Sequence, residues 1–111
     1  SRFVRAAFYQ ASAPQQETAL ETVFQCFHIL NNFDIPVGIE FPLGQVPCDI
    51  PSATQWTSVT DMRNHVIYYR TMYNSVIRNI DLRSIDFSTV RYRAVSMDGT
   101  KRQAVETIKI E

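Results

Sequence analysis

Apolar side chains return at helical spacing from the third residue of the chain. Phe3, Val4, Ala7, Phe8 and Ala11 fall on one stripe of a helical wheel, while Arg2, Arg5 and Tyr9 share the opposite side. This spacing predicts an amphipathic helix that buries an apolar face and turns two cations and a phenol outward. Ser12, followed by Pro14 and Gln15, reads as the start of a second helix, with a capping hydroxyl, a proline in the first turn and a glutamine at capping-box spacing. Ala19, Leu20, Val23, Phe24, Phe27 and Leu30 then repeat every three or four residues, carrying that helix to about Asn31. Asn31-Asn32 is its stop signal.

The period then disappears. Residues 33–53 hold four of the five prolines and two of the three glycines, and they read as a loop too long for a compact domain unless it is functional or braced by a neighbour. After Thr54 the pattern turns extended. Residues 55–60 and 65–71 are rich in strand formers, with Asp-Met-Arg-Asn at 61–64 as a turn between them. Residues 76–82, 90–97 and 104–110 read as further strands, and Asp98-Gly99 is a hairpin signal joining the last two. There is no internal repeat.

Two helices, a long loop and then four or five antiparallel strands make an α+β chain, because helices and strands come in blocks and do not alternate. The helices occupy about 1–31, the loop 33–53 and the strands about 54–110, all within one domain over residues 1–111. In the stretch HVIYYRT, Val66, Tyr68 and Arg70 take one face and Ile67, Tyr69 and Thr71 the other. Both faces are largely apolar, as in a sheet covered on both sides. Two helices can cover only one face, so the other calls for a cover from outside this chain.

Composition changes this picture little. The chain is globular in character, with 45% hydrophobic and 20% charged residues, and its 11 basic residues balance 11 acidic ones. That balance points to neither a nucleic-acid nor a membrane partner. Cys26 lies in the helical pattern and Cys48 in a proline-rich loop, and two such separated cysteines read as free thiols, with a disulfide between them as the alternative. Motif searches for a serine elbow, a phosphate-cradling glycine loop, HExxH or CxxC find nothing, and no metal or cofactor is expected. Cys26 and His28 are two residues apart on a helix and therefore do not face each other. Asp81 and Asp86 alternate with Arg78 and Arg83, which suggests ion pairs at a sheet edge.

Arg2 and Arg5 stand out. Two cations in the first turns of a helix oppose its dipole, and the placement is better explained if they face a buried anion such as a thiolate, a carboxylate or an oxyanion. One reading is an active-site cation. The other is a free-standing α+β binding or assembly module that docks an acidic partner on the Arg2/Arg5/Tyr9 face.

The opening SRFVRAAF, the helix ending FHILNN, the strand run TQWTSVTDMRNHVIYYRTMYN and the following IRNIDL resemble the C-terminal third of the choloylglycine hydrolases, the bile salt hydrolases and penicillin V acylases. The resemblance covers nearly the whole chain. It implies a four-layer αββα N-terminal-nucleophile sandwich that cleaves linear amides, such as conjugated bile salts or penicillin V. The family's nucleophile is a cysteine at the start of the mature chain, whose own α-amino group serves as base. The family's cysteine, aspartate and two asparagine positions belong upstream of SRFVRA, so Cys26 and Cys48 do not stand in for the nucleophile. The family's active-site arginine corresponds to Arg2, with Arg5 as runner-up, and Trp56, Tyr68, Tyr69 and Arg70 are expected to be structural. By the same analogy the partners are a small amide substrate, the upstream remainder of the enzyme and other copies in a tetramer. The compartment is bacterial cytoplasm or periplasm, which the resemblance does not decide.

Overall fold

The computed structural model describes residues 1–39, 41–45, 53–89, 91, 94–99 and 101–111. The elements run α1 (Arg2–Ser12), α2 (Ala19–Leu30), a 3₁₀ turn (Asn31–Phe33), β1 (Trp56–Asp61), β2 (Val66–Thr71), β3 (Asn74–Asp81) and a second 3₁₀ turn (Leu82–Ser84). The strands form one antiparallel sheet in the order β1-β2-β3.

The second helix starts later than its sequence suggests. Ser12 is the last residue of α1, and its hydroxyl donates to the Phe8 carbonyl at 2.7 Å. The cap of α2 is Thr18, whose Oγ1 accepts from the Glu21 amide while the Glu21 carboxylate accepts from the Thr18 amide, both at 3.1 Å. This reciprocal pair satisfies two amides that no helical carbonyl can reach. Pro14 therefore lies in the connection between the helices and opens neither. Val23 and Phe27, one turn apart on α2, are the buried apolar side chains among the described residues.

The α2 side of the sheet is set by register. Thr57 pairs with Arg70 across β1 and β2, and the Arg70 guanidinium lies over the Phe27 ring at 5.5 Å. Alternation then puts Thr57, Val59 and Asp61 of β1 on the α2 side, where they are half-buried, and Trp56, Ser58 and Thr60 on the other, where they are exposed. On that second face Val76 and Ile80 of β3 are also exposed. The face expected to be left open is covered in part from within the chain, where Met97 and Asp98 lie against Tyr69, Thr71 and Arg78, and is open at Trp56, Val76 and Ile80.

The turn between β1 and β2 is built by its ends. Asp61 accepts from the Asn64 amide at 3.0 Å and from the Asn64 side chain at 2.7 Å. His65 takes a left-handed φ of 59° to close the turn, so β2 begins at Val66, one residue later than expected. The β2–β3 register shifts between Tyr69 and Thr71, as a bulge does.

Among the described residues the expected fourth and fifth strands are not formed. Residues 104–110 carry no strand, nor do the described residues of 90–97, and the expected hairpin at Asp98-Gly99 is absent among the described residues. A strand needs neighbouring backbone to pair with, and Val105, Ile108 and Ile110 lie exposed instead. The acidic side chain that would favour the turn is engaged elsewhere, since Asp98 accepts from Arg78 at 2.6 Å and from the Thr71 hydroxyl at 2.8 Å. The 33–53 loop contains no strand or α-helix among its described residues and is closed at its base. There Ile35 donates to the Thr54 side chain at 2.9 Å, and Thr54 donates back to the Ile35 carbonyl at 3.1 Å.

Candidate functional site

Arg2 is the first residue of α1, and Ser1 caps it through a long 3.5 Å contact from the Val4 amide. A cation here opposes the positive end of the helix dipole, at a cost of about 0.3–1 kcal/mol at an exposed position. Among the described residues Arg2 has no hydrogen-bond acceptor or ionic partner to offset this. Its side chain lines a cleft of about 310 Å³, together with Leu30, Phe33, Asp34, Trp56 and Thr57. A second cleft of about 350 Å³ shares the Asp34, Thr54, Trp56 and Thr57 walls and extends to Arg70 and Ser75.

Arg5, one turn further along, is committed. Its Nη1 donates to the Asn32 carbonyl at 3.2 Å, and its guanidinium carbon sits 5.1 Å from the centre of the Phe33 ring. Tyr9 is half-buried. The three residues that share one side of the helical wheel thus do not form one free face. The opposite stripe, expected to be buried, is open: Phe3, Val4 and Phe8 are 81%, 63% and 67% exposed. No residue of α1 is buried.

The turn that receives Arg5 is also held by Arg70. Its Nη1 donates to the Asn31 side-chain oxygen at 2.5 Å, and its Nη2 bonds the Asp34 carboxylate at 3.2 Å. The planar guanidinium reaches both acceptors at once while its face lies on Phe27. Asp34, a wall of both clefts, is thereby held as an ionic partner of the sheet.

A second polar cluster lies across the sheet. Arg78 stacks on Tyr69 at 4.7 Å and bonds Asp98, the Met97 carbonyl at 3.2 Å and the Asn74 carbonyl at 3.1 Å. Tyr69 donates its hydroxyl to the same Met97 carbonyl at 3.0 Å. The Asp98 side chain is 8% exposed. The hydrogen bond from Arg78 holds its carboxyl below the usual carboxylate range, partly opposed by desolvation and reinforced by the Thr71 hydroxyl. Among the described residues the expected edge ion pairs of Asp81 and Asp86 do not form. Asp81 caps the second 3₁₀ turn by accepting from the Arg83 amide, and Asp86 accepts from the Ser88 hydroxyl and amide, which lower its own carboxyl. Local amides and a hydroxyl take up these carboxylates instead, as short-range side-chain-to-backbone bonds do in turns.

The model of the linear amide C–N hydrolases, choloylglycine hydrolase family, matches residues 1–100. The chain belongs to that family. A bile salt hydrolase/transferase of Lactiplantibacillus plantarum is 35% identical over 86 residues, which is 74% of this chain and 24% of that protein. The conjugated bile acid hydrolase structure from Clostridium perfringens superposes with a TM-score of 0.61 at 21% identity, covering 96% of this chain and 29% of that one. The penicillin V acylase structure from Agrobacterium tumefaciens gives a TM-score of 0.56 at 26% identity, covering 77% of this chain and 26% of that one. The chain thus spans about a quarter of the length of the curated relatives it matches, and its two helices and antiparallel sheet have the α+β fold of part of these hydrolase structures.

Cys26 is a free, half-buried thiol on α2, His28 is exposed, and Cys48 lies outside the described residues. The sequence reading missed the tie from Arg5 to Asn32 and the grip of Arg70 on Asn31 and Asp34. These partners are 27 to 39 residues apart in the chain, and no local pattern encodes them. The Thr18 cap was missed as well, since the sequence reading places the start at Ser12, although a threonine with a glutamate three residues on was a signal that could have found it.

Proposed function

We propose that residues 1–111 are the C-terminal portion of a single N-terminal-nucleophile hydrolase domain that cleaves linear amides, with conjugated bile salts and penicillin V as the substrate classes to test. The nucleophile in this reading is a cysteine at the start of the mature enzyme, upstream of this segment, and Arg2 is the active-site cation. The observation that carries the reading is Arg2 itself, an exposed guanidinium at a helix N-terminus and beside a cleft, with no partner among the described residues, in a chain of this family.

The chemistry follows. The thiolate adds to the amide carbonyl, and the negative charge passes to the carbonyl oxygen. The C–N bond then breaks, the amine leaves with the proton that the nucleophile's α-amino group took from the thiol, and an acyl thioester remains. Water hydrolyses the thioester and restores the thiol. A fixed cation beside the sulfur favours the thiolate, and one beside the developing oxyanion lowers both barriers. Arg2 supplies that charge with no ion pair of its own among the described residues, and the carboxylate in its cleft, Asp34, is paired with Arg70, whereas Arg5 has one N–H on the Asn32 carbonyl and its face on Phe33.

In the complete enzyme, Arg2→Ala is expected to slow acylation by about two to three powers of ten, the usual cost of losing one preorganised donor at an oxyanion. The thiol pKa should rise and the thermal midpoint stay close to the parent's. Arg2→Lys keeps the charge and loses the planar fork, so its degree of rescue measures how much of the effect is charge alone. Acylation at the parent rate with an unchanged thiol pKa in Arg2→Ala would make Arg2 a structural residue.

A further inference from the structure

We infer that Arg5 and Arg70 clamp the Asn31–Phe33 turn, and that Arg70 is thereby a positioning residue for Arg2. This rests on the reading of Arg2 as the active-site cation.

Helix α1 is poorly held by packing within this chain. It buries no side chain, and its apolar stripe faces outward. The direct polar tie from its first turns is Arg5, through the Asn32 carbonyl and the Phe33 ring. Arg2 and Arg5 are one helical turn apart, so whatever fixes Arg5 also fixes where Arg2 projects. The turn that Arg5 grips is a single 3₁₀ turn, a soft element on its own. It becomes a firm support because Arg70 holds Asn31 and Asp34, the residues that flank Asn32 and Phe33.

Arg70 is well placed for that task. It sits on the central strand β2, opposite Thr57 of β1, with its side chain 15% exposed and its face on Phe27 of the core. Position is thus passed from the sheet through Arg70 to the turn, from the turn through Arg5 to α1, and so to Arg2. The arrangement needs the two-pronged geometry of arginine. A lysine at position 70 could reach Asp34 or Asn31 but would not span both while lying flat on Phe27.

The test uses the complete enzyme and four forms: the parent, Arg2→Ala, Arg70→Lys and the double variant. Acylation rate, the thiol pKa from the pH dependence of acylation, and amide hydrogen exchange of residues 2–12 are measured on each. Arg70→Lys is expected to slow acylation by roughly tenfold to a hundredfold, the scale of losses from small displacements of a catalytic group. It should also raise the thiol pKa, speed exchange in α1, and have no further effect on rate once Arg2 is alanine. If Arg70→Lys does not fold, Asp34→Asn, which removes the charged acceptor and keeps its shape, is read in the same way. Losses that multiply in the double variant, or a slower Arg70→Lys with unaltered thiol pKa and unaltered α1 exchange, would overturn the clamp. A slow Arg2→Ala beside an Arg70→Lys at the parent rate would sink the clamp alone. An Arg2→Ala at the parent rate would sink the site assignment first and the clamp with it.

Discussion

Arg5, Arg70 and Arg78 each lay a guanidinium over an aromatic ring and aim their N–H groups at carbonyl or carboxylate oxygens. Arg2 does neither among the described residues, and that contrast separates it from these three arginines that build the structure. Ionised Asp98 is the better acceptor for Arg78, so its carboxyl lies below its unfolded value of about 3.9. The sign follows: its hold on the 96–98 segment is fully present above the unfolded value and is lost as pH falls through the lowered folded one. Hydrogen exchange at residues 94–99 is therefore expected to accelerate in strong acid. Asp98→Asn should show the accelerated rate already at neutral pH and lose the acid step, and an acid step that survives in Asp98→Asn would assign it to another group. His65 offers a second test, since its left-handed φ of 59° carries a steric cost that glycine avoids. His65→Gly should raise stability by at most about 1 kcal/mol, the scale of that backbone penalty less glycine's greater unfolded-state entropy, read from denaturant midpoints. A loss would mean that the imidazole supports the turn.

At the scale of elements, legibility tracked how local the determinants were. The apolar repeat from Ala19 to Leu30 was visible because it lies within one helix, and α2 ends within a residue of the expected stop. The three strands through Asp81 were visible because each turn between them is built by neighbouring residues, as Asp61 and Asn64 show. The start of α2 was misplaced because Ser12 offers the same hydroxyl as Thr18, but only Thr18 has a glutamate three residues on to complete the reciprocal pair. Thr18→Ala should cost about 1 kcal/mol, the usual worth of such a cap, in denaturant unfolding of the complete protein. A value near zero would mean that tertiary packing alone sets the start of α2. The expected last two strands failed for a different reason: local strand preference forms nothing without adjacent backbone to pair with, and Val105 and Ile108 have none. Of the proposed site, Arg2 could be named from the SRFVRA motif, whereas the contacts around the neighbouring Arg5 could not, because Arg5, Asn32, Asp34 and Arg70 meet only through the fold.

The whole molecule is open. Its accessible surface of 9621 Å² compares with about 6300 Å² for a compact protein of this mass, and its radius of gyration of 17.4 Å compares with about 13 Å for a compact domain of this length. Among the described residues, the apolar stripe of α1, Trp56, Val76 and Ile80 of the sheet, and Val105, Ile108 and Ile110 all add to this exposure. A chain that leaves this much apolar surface in water should aggregate when isolated, and light scattering of purified residues 1–111 checks it directly. A monodisperse monomer would mean that the isolated chain finds a more closed arrangement. For the central claim, the most direct measurement is hydrolysis of a glycine-conjugated bile salt and of penicillin V, followed by amine release, for the complete protein and for residues 1–111 side by side. The expected result is turnover of at least one of these linear amides by the complete protein and of neither by the isolated chain. Turnover by residues 1–111 at the rate of the complete protein, or no linear amide cleaved by either, would contradict it.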